Sequence, residues 1–182
     1  MAAKQPIAER NLDGYGAPVI PWAKVRETLE EGWTQRPASG GPGRHTCWLA
    51  TARPDGTPHV MPLGARWVDG AFYFTAGVTT RKAQNLVNNP HCVITVATHA
   101  FDLVVEGEAA MVTDEAGIER IGDLYKSQGW QPGVRNGALV VGGEFSAPSA
   151  GPSPWNVYEV IPATVFAFGA AEPYGATRWH LQ

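Results

Sequence analysis

Residues 75–90 read Thr75-Ala-Gly-Val-Thr-Thr-Arg-Lys-Ala-Gln-Asn-Leu-Val-Asn-Asn-Pro90, and this stretch organises the rest of the chain. The aromatic run just before it predicts a strand, and the residues after the glycine predict a short helix that ends at Asn-Asn-Pro. Thr79 or Thr80 can cap the amides at the helix start, where the helix dipole and the cations Arg81 and Lys82 favour an anion. The stretch therefore predicts a phosphate-binding turn, although a capped basic surface helix without a ligand has the same pattern.

Composition limits the class of protein. A chain of 182 residues favours one domain with a substantial core. Charged residues make up only 17%, and 21 glycines and 15 prolines indicate many turns and short strands, so we expect a weakly charged surface of the kind that covers an oligomer interface. The net charge of −3 provides no basic field for nucleic acid.

Two further features concern location and metals. We expect a cytoplasmic protein without a membrane span, because no segment approaches the roughly 20 apolar residues that a span needs and the start lacks the apolar core of a secretion signal. Cys47 and Cys92 lie in predicted strands without the spacing of a metal site, so we expect buried thiols and no metal.

Periodicity predicts a mainly β protein with a few helices. Predicted strands cover 45–53, 58–67, 71–75, 91–98, 101–113, 156–161, 164–168 and 177–181, with Gly107 suited to a bulge. Apolar residues at three- and four-residue steps predict two more helices. Their positions are Trp22, Val25, Leu29 and Trp33, and Ile118, Ile121, Leu124 and Tyr125, with Thr113 as the expected cap of the later helix. We expect an irregular start and a long irregular segment over 128–154, which either covers a site or is a packed structural excursion.

The order of these elements resembles the pyridoxamine 5′-phosphate oxidase-like, FMN-binding split-barrel superfamily. The matching segments are Ala52-Arg-Pro-Asp-Gly-Thr-Pro-His-Val-Met-Pro-Leu-Gly64, Phe72-Tyr-Phe-Thr75, and Thr80-Arg-Lys-Ala-Gln-Asn-Leu86 with Asn89-Pro90. Within the superfamily, the pattern over 82–86 and the closing Thr177-Arg178-Trp179 are most similar to the flavin/deazaflavin oxidoreductases, many of which use coenzyme F-420. The resemblance implies a six-stranded antiparallel split β-barrel in a single domain over 1–182, with an N-terminal helical extension over about 1–43. It also implies a homodimer with two cofactor sites at the subunit interface.

The resemblance further implies which residues hold the cofactor. Its phosphate would meet Thr80 and the two cations that follow, and the strand over 59–64 would run beside the ribityl chain and the ring. Pro62 suits a strand edge, because it gives no amide to a ladder. The whole implied cofactor-binding set is His59, Val60, Met61, Pro62, Leu63, Gly64, Thr75, Thr80, Arg81, Lys82, Asn85, Arg178 and Trp179. Catalytic residues stay unknown, with His59 as a weak candidate, and Trp179 serves equally well as a barrel-closing aromatic.

The favoured function is an oxidoreductase that uses coenzyme F-420 and transfers a hydride between it and a small conjugated organic substrate. An FMN-dependent flavin reductase or a pyridoxamine-phosphate-oxidase-like enzyme is the alternative. The last of these is a minority interpretation, since Arg178-Trp179-His180 has the Arg-x-His spacing of the oxidase without its flanking residues. A carrier or sensor that binds flavin or haem without turnover is a third class. Extra cations near the groove would favour the deazaflavin tail, and the candidates are Lys24, Arg26, Arg36, Arg44 and Arg135.

Overall fold

The computed structural model describes residues 4–33, 46–126, 131–140 and 150–182. The helices are α1 (Trp22–Glu31), α2 (Arg81–Asn88) and α3 (Glu115–Lys126). The strands are β1 (Pro6–Asn11), β2 (Thr46–Ala52), β3 (Pro58–Val68), β4 (Ala71–Ala76), β5 (His91–Ala97), β6 (Phe101–Met111), β7 (Gly133–Arg135), β8 (Ala138–Val140), β9 (Asn156–Gly169) and β10 (Ala176–Leu181). The candidate cations Arg36 and Arg44, the first residue of the predicted strand 45–53, and residues 128–130 and 141–149 of the long segment lie outside the described residues.

Six strands form a closed antiparallel barrel. Their order is β9-β4-β3-β2-β5-β6, and the pairing of β6 with β9 closes the ring. Strand β9 pairs with β4 along its first half and with β10 along its second half, so β10 and β1 extend the sheet beyond the barrel. The prediction of a mainly β protein with a six-stranded antiparallel barrel is confirmed.

The core fills the barrel because inward-facing positions alternate along its strands. Phe72, Phe74 and Leu49 have less than 2% of their surface exposed. Each such side chain stabilises the fold by roughly 1.5–3 kcal/mol relative to an exposed one. Helix α1 packs against this core, and the ring centroids of Trp22 and Trp179 lie 5.5 Å apart.

Strand β9 differs from the prediction of two separate runs, because it is continuous. Pro162 lies inside it, at a bulge where Ala163 is the extra residue opposite the Glu106–Gly107 step of β6. A Cβ on Gly107 would lie 2.2 Å from the Ile161 carbonyl oxygen, so glycine allows the two strands to approach. A bulge is present at the Gly107 step as expected, but its extra residue belongs to β9 and not to β6. The predicted break was wrong because a bulge tolerates a proline.

Three local expectations are also corrected. The segment over 128–154 is not irregular throughout, since β7 and β8 form a two-stranded antiparallel sheet within it. The start of the chain is not irregular throughout, since β1 pairs with β10. Helix α3 is capped by Asp114 rather than by Thr113, because the Asp114 carboxylate accepts a hydrogen bond from the Gly117 amide at 2.7 Å. Cys47 and Cys92 are free and buried, as predicted.

Candidate functional site

The first half of β3, residues 58–64, is an open sheet edge in the described part of the chain. It pairs with β2 on one side, whereas β4 pairs with β3 only over Ala65–Val68. We call this segment the exposed β3 edge. Val60 is 54% exposed and Met61 39% exposed, while Leu63 points into the core. Pro62 lies on this edge, which is where its missing amide costs no ladder hydrogen bond.

The turn before α2 is fixed by its own hydroxyl and by a neighbouring segment. Of the two predicted caps, Thr80 serves, because its hydroxyl accepts from the Ala83 amide at 3.4 Å and donates to the Gly77 carbonyl at 2.8 Å. The Gly77 amide donates to the Ala150 carbonyl at 2.7 Å, and a Cβ on Gly77 would lie 3.0 Å from the Pro152 carbonyl oxygen. The end of the long irregular segment therefore packs against the predicted phosphate-binding turn.

Helix α2 presents two polar side chains to the body of the protein. Lys82 is 3% exposed and Asn85 is 1% exposed. The Asn85 amide donates to the Thr51 hydroxyl at 2.9 Å, and that hydroxyl donates to the His59 carbonyl at 3.4 Å. This connection holds the start of α2 against the first residues of the exposed β3 edge. Burial lowers the pKa of Lys82, because a desolvated ammonium is disfavoured.

The charges of three cations act on the His59 imidazole, and we call the four residues the basic cluster: Arg53, His59, Arg81 and Lys82. Burial is the main cause that lowers the pKa of His59, and the charges of Arg53, Lys82 and Arg81 lower it further. The charged groups that act on the imidazole are thus all cations. Its Nδ1 atom is buried and has no hydrogen-bond partner in the described part of the chain.

Arg53 was not predicted as a site residue. It precedes the Asp-Gly turn between β2 and β3, and its amide donates to the Thr57 carbonyl at 3.0 Å. The register of this hairpin places Thr51 opposite His59, two residues from Arg53. The signal that would have identified Arg53 is this hairpin pairing, which the predicted turn already implied.

The far end of the exposed β3 edge, at Gly64, is open and lies beside hydroxyl-bearing side chains in place of the cations. A Cβ added to Gly64 would meet nothing within 4 Å among the described residues. Beside it, where pairing of β3 with β4 ends, the Thr75 hydroxyl bonds the Tyr125 phenol. Burial raises the pKa of Tyr125 and lowers that of nearby Arg66. A flat group can approach the backbone at Gly64 with these polar side chains beside it.

Arg178 and Trp179 lie on β10, which pairs with β1 and β9. Trp179 has no exposed surface, and its indole nitrogen donates to the Glu9 carboxylate at 2.8 Å. Arg178 is half-buried on the opposite face of the strand. The structure therefore brings His59, Thr80, Lys82 and their neighbours together but gives Trp179 a core position, and its role at a cofactor stays a prediction.

Within the described ranges, no three His, Cys, Asp or Glu side chains are grouped so that they could hold a metal ion. No helix in those ranges has both the length and the apolar character needed to cross a membrane.

Comparison with solved structures finds the same fold in distant proteins. A pyridoxamine 5′-phosphate oxidase-related, FMN-binding protein from Nostoc punctiforme is 18% identical over 90% of this chain and 92% of its own, with a TM-score of 0.57. A NimC/NimA family protein from Clostridium acetobutylicum is 14% identical over 86% and 90%, with a TM-score of 0.55. An FAD-binding protein from Mesorhizobium loti is 19% identical over 93% and 96%, with a TM-score of 0.50. At these identities the similarity establishes the fold.

The family follows from sequence. No curated protein matches the sequence significantly. The family model described as pyridoxamine 5′-phosphate oxidase matches residues 40–141, which is more than half of the chain and contains the basic cluster and the exposed β3 edge. On that match, the chain belongs to the pyridoxamine 5′-phosphate oxidase family.

Proposed function

We propose that this protein is an oxidoreductase that binds coenzyme F-420, or alternatively FMN, and transfers a hydride between that cofactor and a small conjugated organic substrate. The observation that supports this proposal is the basic cluster at the start of α2, placed beside an exposed strand edge that ends at an open glycine. When bound, a flavin or deazaflavin supplies the hydride chemistry itself. The protein needs only to hold the ring, shield it and orient a substrate beside it.

The residues present fit a phosphate-bearing group. Arg81 and Lys82 supply positive charge at a helix start whose dipole also favours an anion. Lys82 is almost fully buried, so its interaction with a bound phosphate is weakly screened by water. Thr80 fixes the turn, and Asn85 fixes the distance between α2 and β3 through its bond to β2. The orphaned Nδ1 atom of His59 gains a partner if an anion is seated there.

The preference for coenzyme F-420 comes from the resemblance at 82–86 and 177–179. Of the cations proposed for its tail, Arg26 is paired with Glu30 at 3.5 Å, whereas Lys24 and Arg135 are exposed. Separate fluorescence titrations of the purified protein with coenzyme F-420 and with FMN test the preference. Tighter binding of the deazaflavin supports it, tighter binding of FMN selects the alternative, and binding of neither contradicts the proposed function.

Gly64 allows the ring position to be tested separately from the phosphate. We expect Gly64→Ala to fold normally, because its Cβ meets open space, but to weaken binding of the ring-bearing cofactor. Gly133→Ala is the matched control, since its Cβ also meets nothing within 4 Å and it lies on β7. If Gly64→Ala binds as tightly as Gly133→Ala, the ring does not lie against Gly64.

We also propose a homodimer with the cofactor sites at the subunit interface. Its support is the open β3 edge, together with exposed apolar side chains on the strands: Val60, Met61 and Phe168 are 54%, 39% and 43% exposed. Light scattering on the protein as it elutes from a sizing column should give the mass of two chains. The Phe168→Asp variant should give a mass closer to that of one chain. Val87→Asp is the control, because Val87 is 84% exposed on α2. A stable monomer that binds cofactor would contradict this placement.

A further inference from the structure

Trp155 fastens the end of the long irregular segment to the small sheet of β7 and β8. Its amide donates to the Leu139 carbonyl at 2.8 Å, and its carbonyl accepts from the Leu139 amide at 2.9 Å. The indole nitrogen donates to the Gly151 carbonyl at 2.8 Å, and the side chain is only 5% exposed. A buried indole that bonds the backbone four residues earlier fixes the path of the chain between them. We call residues 150–155 the return segment, because they lead back to β9.

The return segment forms one wall of the turn before α2. The Ala150 carbonyl accepts from the Gly77 amide at 2.7 Å. The Gly77 carbonyl in turn accepts from the Thr80 amide at 3.0 Å and from the Thr80 hydroxyl at 2.8 Å. A Cβ on Gly151 would lie 3.1 Å from Thr80 Cγ2, so the segment also contacts the side chain that caps the helix. A continuous series of contacts therefore joins Trp155 to the start of α2.

A turn that binds phosphate through its backbone amides gains affinity when it is rigid before the ligand arrives. Fixing a mobile backbone costs conformational entropy, and a turn that is already fixed binds without this cost. The return segment restrains the turn from outside α2, and it follows residues 40–141, the range that the family model matches. Its contact with the turn is therefore a feature of this chain that the family match does not imply.

We infer that Trp155 is a positioning residue: it holds the return segment, which fixes the turn before α2 in the conformation that binds the cofactor phosphate. The inference rests on the proposed function, because a phosphate-bearing cofactor is taken to bind at this turn. It goes beyond that function by assigning control of phosphate affinity to a side chain outside the basic cluster. Because coupling between two sites is reciprocal, phosphate binding should also stabilise the return segment.

Trp155→Phe tests the inference, because it removes the indole donor to Gly151 and keeps an aromatic ring. Loss of one hydrogen bond between neutral groups should weaken FMN binding by about 3- to 10-fold in a fluorescence titration. Riboflavin lacks the phosphate, so its affinity should change by less than about twofold. If only coenzyme F-420 binds, its affinity is compared with that of the control variant in the same way.

Trp67→Phe is the matched control. Trp67 is also buried, at 9% exposed, and its indole nitrogen has no hydrogen-bond partner in the described part of the chain, so the substitution loses no such bond. It should keep the wild-type ratio of FMN to riboflavin affinity. Cofactor affinity that is equal in Trp155→Phe and Trp67→Phe overturns the inference. Equal losses for FMN and riboflavin in Trp155→Phe also overturn it, because Trp155 would then act through the fold as a whole.

Hydrogen exchange measures the restraint on the turn without any cofactor. In Trp155→Phe the Gly77 amide should exchange about 3- to 10-fold faster than in Trp67→Phe, because the return segment opens more often. Unchanged exchange overturns the inference whichever cofactor binds. If coenzyme F-420 and FMN both fail to bind and Gly77 nevertheless exchanges faster, the proposed function is contradicted while Trp155 is still shown to fix the turn.

A measurement on the wild-type protein covers the case in which Trp155→Phe does not fold. Saturating FMN should slow exchange of the Trp155 indole N–H by at least about threefold relative to saturating riboflavin. Equal exchange with the two ligands would show that the phosphate and the return segment are not coupled, and the inference would then be wrong.

Discussion

Replacing Lys82 by methionine tests separately what this buried lysine contributes to cofactor binding and what it contributes to the stability of the free protein. The side chain is 3% exposed, and methionine keeps most of its length while removing the ammonium. A charge-assisted hydrogen bond to phosphate contributes about 1.5–3 kcal/mol, so Lys82→Met should weaken cofactor binding by about 10- to 100-fold. The free protein should behave differently, because the lowered pKa of Lys82 shows that the folded state disfavours its charge. We expect the free energy of unfolding without cofactor to fall by no more than about 1 kcal/mol, or to rise.

Two assays check this pair of expectations. A fluorescence titration gives the cofactor dissociation constant, and urea unfolding of the apo-protein gives its stability. Lys126→Met is the control, because Lys126 is an exposed lysine on α3 that pairs with Asp123 at 2.7 Å. It removes the same charge from an exposed ion pair, which contributes little to stability, and should change cofactor affinity by less than about twofold. A folded Lys82→Met variant that binds as tightly as Lys126→Met would refute a phosphate site at the basic cluster.

Three further predictions concern stability. Gly107→Ala should lower the free energy of unfolding by about 3 kcal/mol or more in urea titrations, because its Cβ would collide with the backbone at Ile161; a change under about 1 kcal/mol would contradict the close approach at the bulge. Trp179→Phe should lower the free energy of unfolding by about 1–3 kcal/mol, because the hydrogen bond to Glu9 is lost, but it should leave cofactor affinity unchanged. A loss of affinity in a stable variant would favour the cofactor contact implied by the resemblance. The pKa of His59 in the folded protein is below the ordinary 6.5, so the unfolded chain binds more protons. The free energy of unfolding without cofactor should therefore decrease as the pH falls through about 6.5. His59→Gln should remove this part of the pH dependence.

Much of the fold could be predicted because its signals are local. Alternating apolar residues and two Asp-Gly turns specify the β2–β3–β4 meander, and Thr80 marks the start of α2 by side-chain chemistry alone. Strand β1 could not be predicted in this way, since all but one of its residues are exposed and it forms by pairing with β10. The continuity of β9 through Pro162 likewise depends on a bulge opposite β6, a non-local partner that the sequence of β9 does not reveal.

The candidate site also combines features that the sequence predicts with features that only the fold reveals. Arg81 and Lys82 were predicted to favour an anion at a helix start, but only the packing of α2 on β2 makes Lys82 a buried cation. Arg53 joins them through a hairpin register that links distant positions. For Trp179 the sequence left two roles open, a ligand contact or a barrel-closing aromatic, and the fold places the indole against Trp22 in the core. A contact between Trp179 and a cofactor stays a prediction.

The two ends of the exposed β3 edge lie far apart because a strand is extended. The contributions of the phosphate end and the ring end to cofactor binding can therefore be tested independently. From His59 to Gly64 an extended chain spans about 17 Å, beyond the roughly 7–10 Å within which substitutions usually interact. If one cofactor lies along the edge, Lys82→Met should weaken binding of FMN but not of riboflavin, which lacks the phosphate, whereas Gly64→Ala should weaken both. The double variant should lose the sum of the two binding free energies within about 0.5 kcal/mol. Equal losses for riboflavin and FMN in Lys82→Met would show that Lys82 acts through the ring or the fold, and the basic cluster would then have to bind something other than the cofactor phosphate.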